Sequence, residues 1–151
     1  MEEKLTFYLG LLMRMQQVDI EEIDLSGGGG MEALYKGMPF TGEAVIYENG
    51  ARVGLRTFME GSEDGPRLKW SPSGKLVAQG IFRSTVGPVG AWHEWDEEGR
   101  LLSETIYDAL GNRIIFRRMD EAGNIAKEEV FLPERLLRDP GTGEERPAPW
   151  L

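Results

Sequence analysis

The chain has 151 residues, 20 of them glycine, eight proline and none cysteine, with a formal net charge of −9. Lack of cysteine excludes a disulfide framework, a zinc–thiolate site and a thiol nucleophile. The acid excess disfavours nucleic acid and anionic membranes, both bound through clustered Lys and Arg, and suits a basic protein partner.

Residues 1–30 read as an N-terminal helix and glycine linker. Leu5, Leu9 and Leu12, widened by Tyr8, Leu11, Met13 and Met15, fall on one side of a helix over 4–17. Such a helix is expected to cap or cover one face of a sheet. The leading charges Glu2, Glu3 and Lys4 are mixed, which gives no export signal. No run reaches the roughly 20 apolar residues of a membrane span, so a cytoplasmic location is expected. Residues 18–25 alternate only in part, and Ile20 and Ile23 also suit a continued helix. Gly27-Gly28-Gly29-Gly30 reads as flexible linker.

Residues 31–132 carry an internal period. Gly50, Gly74, Gly99 and Gly123 recur at intervals of 24, 25 and 24 residues. Eight residues after each stands an aromatic (Phe58, Phe82, Tyr107, Phe131), and seven after stands a β-branched residue (Thr57, Ile81, Ile106, Val130). Four before stand Ile46, Trp70, Trp95 and Met119, which the register predicts to be one core column. Aromatics make up 9% of the chain, too few for this register to arise by chance. Fixed-period self-similarity marks a repeat architecture.

Each of these glycines closes a polar turn, such as Asp96-Glu97-Glu98-Gly99, between two strand-like stretches. That makes each unit a β-hairpin. Between units the chain is expected to turn again at Gly61 and Gly65, Gly87 and Gly90, and Gly111. One hairpin of about 24 residues is unstable alone, whereas hairpins stacked so that each shields the next aromatic are stable. The expected fold is mainly β: an elongated antiparallel sheet of four hairpins with a short N-terminal helix. Residues 133–151, rich in Pro, Gly and charge, read as a disordered tail with at most a helical turn at 134–138.

The units Gly65-Pro66-Arg67-Leu68-Lys69-Trp70-Ser71-Pro72-Ser73-Gly74-Lys75-Leu76 and Gly90-Ala91-Trp92-His93-Glu94-Trp95-Asp96-Glu97-Glu98-Gly99-Arg100-Leu101 resemble the MORN-repeat variant. The stretch Leu34-Tyr35-Lys36-Gly37-Met38-Pro39-Phe40-Thr41-Gly42-Glu43 resembles the start of such bacterial proteins. Members of this kind are commonly held to be YwqK-type antitoxins encoded beside secreted toxins. The resemblance, over residues 34–132, implies an immunity protein that binds and occludes a toxic enzyme. It also allows a structural scaffold or membrane-associated adaptor.

No catalytic, metal or cofactor site is expected. The single histidine, His93, lies between Trp92 and Glu94 with no nucleophile motif elsewhere. One histidine is too few nitrogen ligands for a zinc site. Gly27 to Gly30 lacks the Gly-Lys-Ser/Thr ending of a phosphate loop. A carboxylate-only hydrolase would need a pocket to shift its glutamates. The expected partner-binding residues are Trp92, His93, Glu94, Asp96, Glu97 and Glu98. By strand alternation Trp92 points away from Trp95, which leaves it as an interface anchor or as a seat for the N-terminal helix.

Overall fold

The computed structural model describes residues 16–27 and 32–150. Four short strands come first: β1 (Gln16–Asp19), β2 (Ile23–Asp24), β3 (Leu34–Tyr35) and β4 (Met38–Pro39), with a 3-10 turn at Ile20–Glu22. Eight longer strands come next: β5 (Gly42–Glu48), β6 (Ala51–Met59), β7 (Ser62–Trp70), β8 (Leu76–Arg83), β9 (Gly87–Trp95), β10 (Leu101–Tyr107), β11 (Arg113–Met119) and β12 (Ile125–Val130). The tail adds β13 (Leu137–Arg138) and β14 (Glu145–Arg146). β5 to β12 form an antiparallel meander, and β1 joins it parallel to β5, giving a nine-stranded sheet. The chain is thus mainly β, built on one large antiparallel sheet. Of the helix expected over 4–17, residues 4–15 lie outside the described residues, and Gln16 and Gln17 are strand.

The turns explain this topology. Asp96, Asp108 and Asp120 each start a tight loop in which their own N–H bonds the carbonyl four residues on. In each loop the Asp Oδ1 accepts from the backbone N–H groups two and four residues later. Ser71 uses its hydroxyl in the same way toward Lys75 N–H. The fourth residue must then take a left-handed conformation, as Gly99 does at φ 83°. The first hairpin differs. Its loop is only Asn49-Gly50, both at positive φ, a type I′ turn. Gly61 also turns the chain, but Gly65 and Gly90 do not: both sit inside strands, beside register shifts at β6/β7 and β8/β9.

Turn length decides which side chains share a face, because side chains alternate along a strand. Arg56, Gly54, Arg67, Lys69, Gly80, Ala78, Trp92 and Glu94 share one face, here called the trough face. Phe58 and Phe82 lie on it too, as does Tyr107. Thr57, Ile81, Ile106 and Val130 lie on the opposite, ladder face. Trp70 pairs with Leu76, Trp95 with Leu101 and Met119 with Ile125, also on the ladder face. Ile46 does not join them. The shorter first loop slips the pairing by one residue, so Tyr47 pairs with Arg52 and Ile46 faces Gly54 on the trough face.

The described core is small and lies at one end. Val18, Ile23, Ala33, Phe40, Ala44 and Phe58 are buried together, with Ile20 and Tyr35 packed against them. Phe40 is 1% exposed and meets Phe58 at 5.9 Å between ring centroids. Backbone bonds Ala33 N–H to Gly61 O, Phe40 N–H to Ala33 O and Gly61 N–H to Phe40 O close this corner. The far edge, β12, leaves Ile125 and Val130 exposed. Its charged Lys127, Glu128 and Glu129 are the kind of residues that discourage edge-to-edge pairing.

Residues 133–150 were expected to lack order, and they fold back on the sheet instead. Leu137 pairs with Arg146 and Arg138 with Glu145. The β10–β11 turn is the anchor: Asn112 Nδ2 donates to Arg135 O, Asn112 Oδ1 accepts from Arg135 N–H, and Ala109 N–H donates to Pro149 O. Asp108 is 1% exposed and also accepts from Asn112 Nδ2. Composition hides this because the contacts that carry it come from the β10–β11 turn, Asn112 foremost.

This uneven packing predicts uneven costs. Phe40→Ala should lose about 3–5 kcal/mol, the cost of emptying a closed aromatic site. Ile125→Ala at the open edge should lose less than about 1 kcal/mol. Urea denaturation of both variants measures the difference, and equal losses would contradict the polarised core.

Candidate functional site

The expected partner residues separate on folding. Trp92 and Glu94 lie on the trough face and His93 on the ladder face. Asp96, Glu97 and Glu98 form the β9–β10 tip. Asp96 is occupied by its turn: it accepts from Glu98 and Arg100 N–H and from Arg100 Nε. The backbone N–H of Arg100, first among these influences, helps hold the Asp96 carboxyl below its ordinary value. Glu97 and Glu98 are exposed, and Glu97 Oε1 accepts from Ser73 Oγ of the neighbouring tip at 3.2 Å.

On the ladder face, directly opposed residues run across the sheet as Leu55, Leu68, Gln79, His93, Glu104, Arg117 and Glu128. Their polar half is a continuous chain. His93 Nε2 lies 2.8 Å from Glu104 Oε2, Arg117 Nη1 donates to Glu104 Oε1 at 2.8 Å, and Arg117 Nε donates to Glu128 Oε2 at 2.7 Å. The His93 ring stacks on Trp95 at 5.6 Å. Burial pushes the Glu104 carboxyl up, but its bonds to His93 and Arg117 outweigh that and lower it overall. Cross-strand pairs of this kind contribute about 0.2–1 kcal/mol each. That is enough to favour one register, and it commits His93 to a structural contact.

The trough face is arranged differently. Glu63, with its side chain 9% exposed, accepts from Arg56 Nη2, Arg67 Nε and Arg67 Nη2, each at 2.7 Å. Burial raises the Glu63 carboxyl, but the Arg67 and Arg56 hydrogen bonds and charges outweigh it and hold it below its ordinary value. Beside this cluster lies an open trough of about 450 Å³ lined by Ile46, Gly54, Arg56, Arg67, Lys69, Ala78 and Trp92 among others. Trp92 lies flat across Gly80 on the next strand. A Cβ built there would stand 2.0 Å from the indole, so only glycine admits the ring. The indole N–H donates to Val89 O, and its ring meets Tyr107 edge-on at 6.2 Å.

The four periodic aromatics do not stack on one another. Equivalent positions are two strands apart, about 10 Å, too far for ring contact. Each is covered by another group instead. The Arg67 guanidinium lies 4.6 Å over Phe82 and that of Arg113 lies 4.2 Å over Phe131, while Trp92 meets Tyr107. Phe58 has Arg56 at 5.2 Å and Phe40 beyond it. Arg52 likewise lies 4.7 Å over Trp70. Sequence reasoning missed these arginines. The available signal was Arg67 standing where Trp92 stands one unit later.

Among the described residues, no group of three or more His, Cys, Asp or Glu is placed to hold a metal ion, and no helix is long and apolar enough to cross a membrane. No family model matches the chain, and no curated protein does either. Among solved structures it is similar to S. aureus TarM, a mutant in complex with Fondaparinux, alpha-GlcNAc-glycerol and UDP. The TM-score is 0.40 and identity 10%, over 83% of this chain and 22% of that one. The chain spans about a fifth of that protein's length, and a likeness this slight carries no argument.

A carboxylate lowered on folding stabilises the fold above its unfolded value and loses that contribution as pH falls through the lowered value. Glu63, ordinarily at 4.5, should therefore leave stability flat above that pH and erode it below. Glu63→Gln should be less stable than wild type at neutral pH and should show a shallower acid decline. Urea midpoints from pH 7 down to about pH 3 measure both, and an unchanged acid slope would show that the Arg56–Glu63–Arg67 cluster is not coupled to folding.

Proposed function

We propose that this chain is a non-catalytic protein-binding module of the antitoxin or immunity kind, which binds and occludes a basic bacterial toxin domain in the cytoplasm. The observation that carries this reading is the alignment of hairpin tips. In a meander, alternate turns fall at the same end of the strands. The loops at 49–50, 71–75, 96–100 and 120–124 therefore form one row. Neighbouring tips touch through Ser73 and Glu97. The row presents Glu48, Glu97, Glu98 and Glu121, all exposed, on elements whose own turn bonds are already satisfied. A rigid acidic row favours fast encounter with a basic surface and fixes its orientation.

The resemblance of residues 34–132 to MORN-type repeats supports the same reading, with each hairpin as one MORN-like unit. A binding role without chemistry also fits the side chains. His93 is held by Glu104 and Trp95, and Glu63 by two guanidiniums.

The test is capture from the native host by wild type and by Glu97→Gln/Glu98→Gln/Glu121→Gln, at low and raised salt. Wild type should retain a basic protein that arrests growth when expressed alone and is silenced by co-expression. The triple variant should bind it at least about tenfold more weakly, since each 1.4 kcal/mol is tenfold. Recovery of no such protein, or equal retention by the variant at all salt concentrations, would refute the proposal.

A further inference from the structure

The trough beside Trp92 has a charge opposite to that of the chain. Three cations line it, Arg56, Arg67 and Lys69; Arg56 and Arg67 share the single carboxylate of Glu63 beside the trough, so the group keeps a net positive charge in a protein of net charge −9. Its remaining lining is largely apolar: Ile46, Gly54, Ala78 and the Trp92 ring. Ala78 leaves the floor open between Ile46, which lies over Gly54, and Trp92, which lies over Gly80. Gly54 is already crossed by Ile46, whose Cδ1 would stand 2.9 Å from an added Cβ. Arg56 Nε is buried without a hydrogen-bond partner among the described residues.

These features select an occupant. The apolar floor takes a hydrophobic side chain, and the cationic rim takes a carboxylate next to it. The trough is open along its length, so it suits one side of an extended segment rather than a small molecule needing enclosure. A flat anionic bilayer fits less well. Besides Glu94, opposite Ala78 on the same face, it would meet the acidic tips at the strand ends, which a short segment in the trough avoids. We propose that the trough docks an extended peptide segment of a partner protein in which an aromatic or aliphatic residue is flanked by acidic ones. This site is independent of the acidic tip row and has the opposite charge preference.

The probe is acetyl-Glu-Phe-Glu-Leu-Glu-amide, titrated into the ¹⁵N-labelled full chain, with acetyl-Lys-Phe-Lys-Leu-Lys-amide as control. The acidic peptide should shift the Trp92 indole N–H and the amides of Gly54 and Ala78, and should weaken as salt rises. Lys69→Glu, at an exposed position, should weaken it roughly tenfold, and Lys69→Gln by less. The triple tip variant should bind it as wild type does, which separates this proposal from the toxin-binding one. Shifts confined to other residues, equal binding of the lysine peptide, or no change in Lys69→Glu would overturn it. So would co-sedimentation with phosphatidylserine vesicles in the absence of peptide binding, which would assign the face to a membrane.

Discussion

The hydrogen-bonded register between neighbouring strands is the constraint on which the structure depends, and the turns set it. Side chains alternate between two faces with a period of two, so one residue more or less in a loop moves a whole strand's side chains to the other side. The loops opened by Ser71, Asp96 and Asp120 give the same pairing each time, placing Trp70, Trp95 and Met119 on the ladder face. The two-residue Asn49-Gly50 loop gives a different one, and Ile46 goes to the trough face as a result. The trough's wall is therefore a consequence of turn length as much as of the residue's own chemistry.

A sheet that adds strands side by side needs another source of cover for its exposed ring faces. Guanidinium groups supply part of it here. Arg67 over Phe82, Arg113 over Phe131 and Arg52 over Trp70 shield aromatic surface while keeping charge at the water boundary. The ladder face uses a second device, the His93–Glu104–Arg117–Glu128 chain, which spans four strands with alternating partners. Among the described residues, the β1–β6 corner has a closed aromatic core around Phe40 and Phe58. The two faces thus differ in character: the ladder face carries a chain of ion pairs across four strands, and the trough face sets the Arg56–Glu63–Arg67 cluster and Lys69 beside an open apolar recess.

The hairpins were legible in the sequence because Gly50, Gly74, Gly99 and Gly123 sit at positions where backbone geometry demands glycine or nearly so. The opposite orientation of Trp92 and Trp95 was legible too, from alternation alone. What stayed hidden depends on contacts between residues far apart in the chain. Nothing in the spacing shows that Gly80 exists to admit the Trp92 ring, or that Glu63 gathers Arg56 and Arg67 into one cluster. The tail was misread for the same reason. Its Pro, Gly and charge describe solubility, while its attachment comes from Asn112 and Ala109 in the β10–β11 turn, outside the tail altogether. The candidate partner residues were contiguous in sequence, and the pleat divided them between two faces and a tip.

The most direct test of this arrangement is a nuclear Overhauser measurement on the Trp92 indole. With Trp92 opposite Thr105 and lying over Gly80, its ring protons should show strong cross-peaks to the Gly80 α-protons, which the ring current should move well upfield. Cross-peaks instead to the side chains of Gln79 or His93 would put Trp92 on the ladder face. That result would contradict the register, the trough and the proposals built on them.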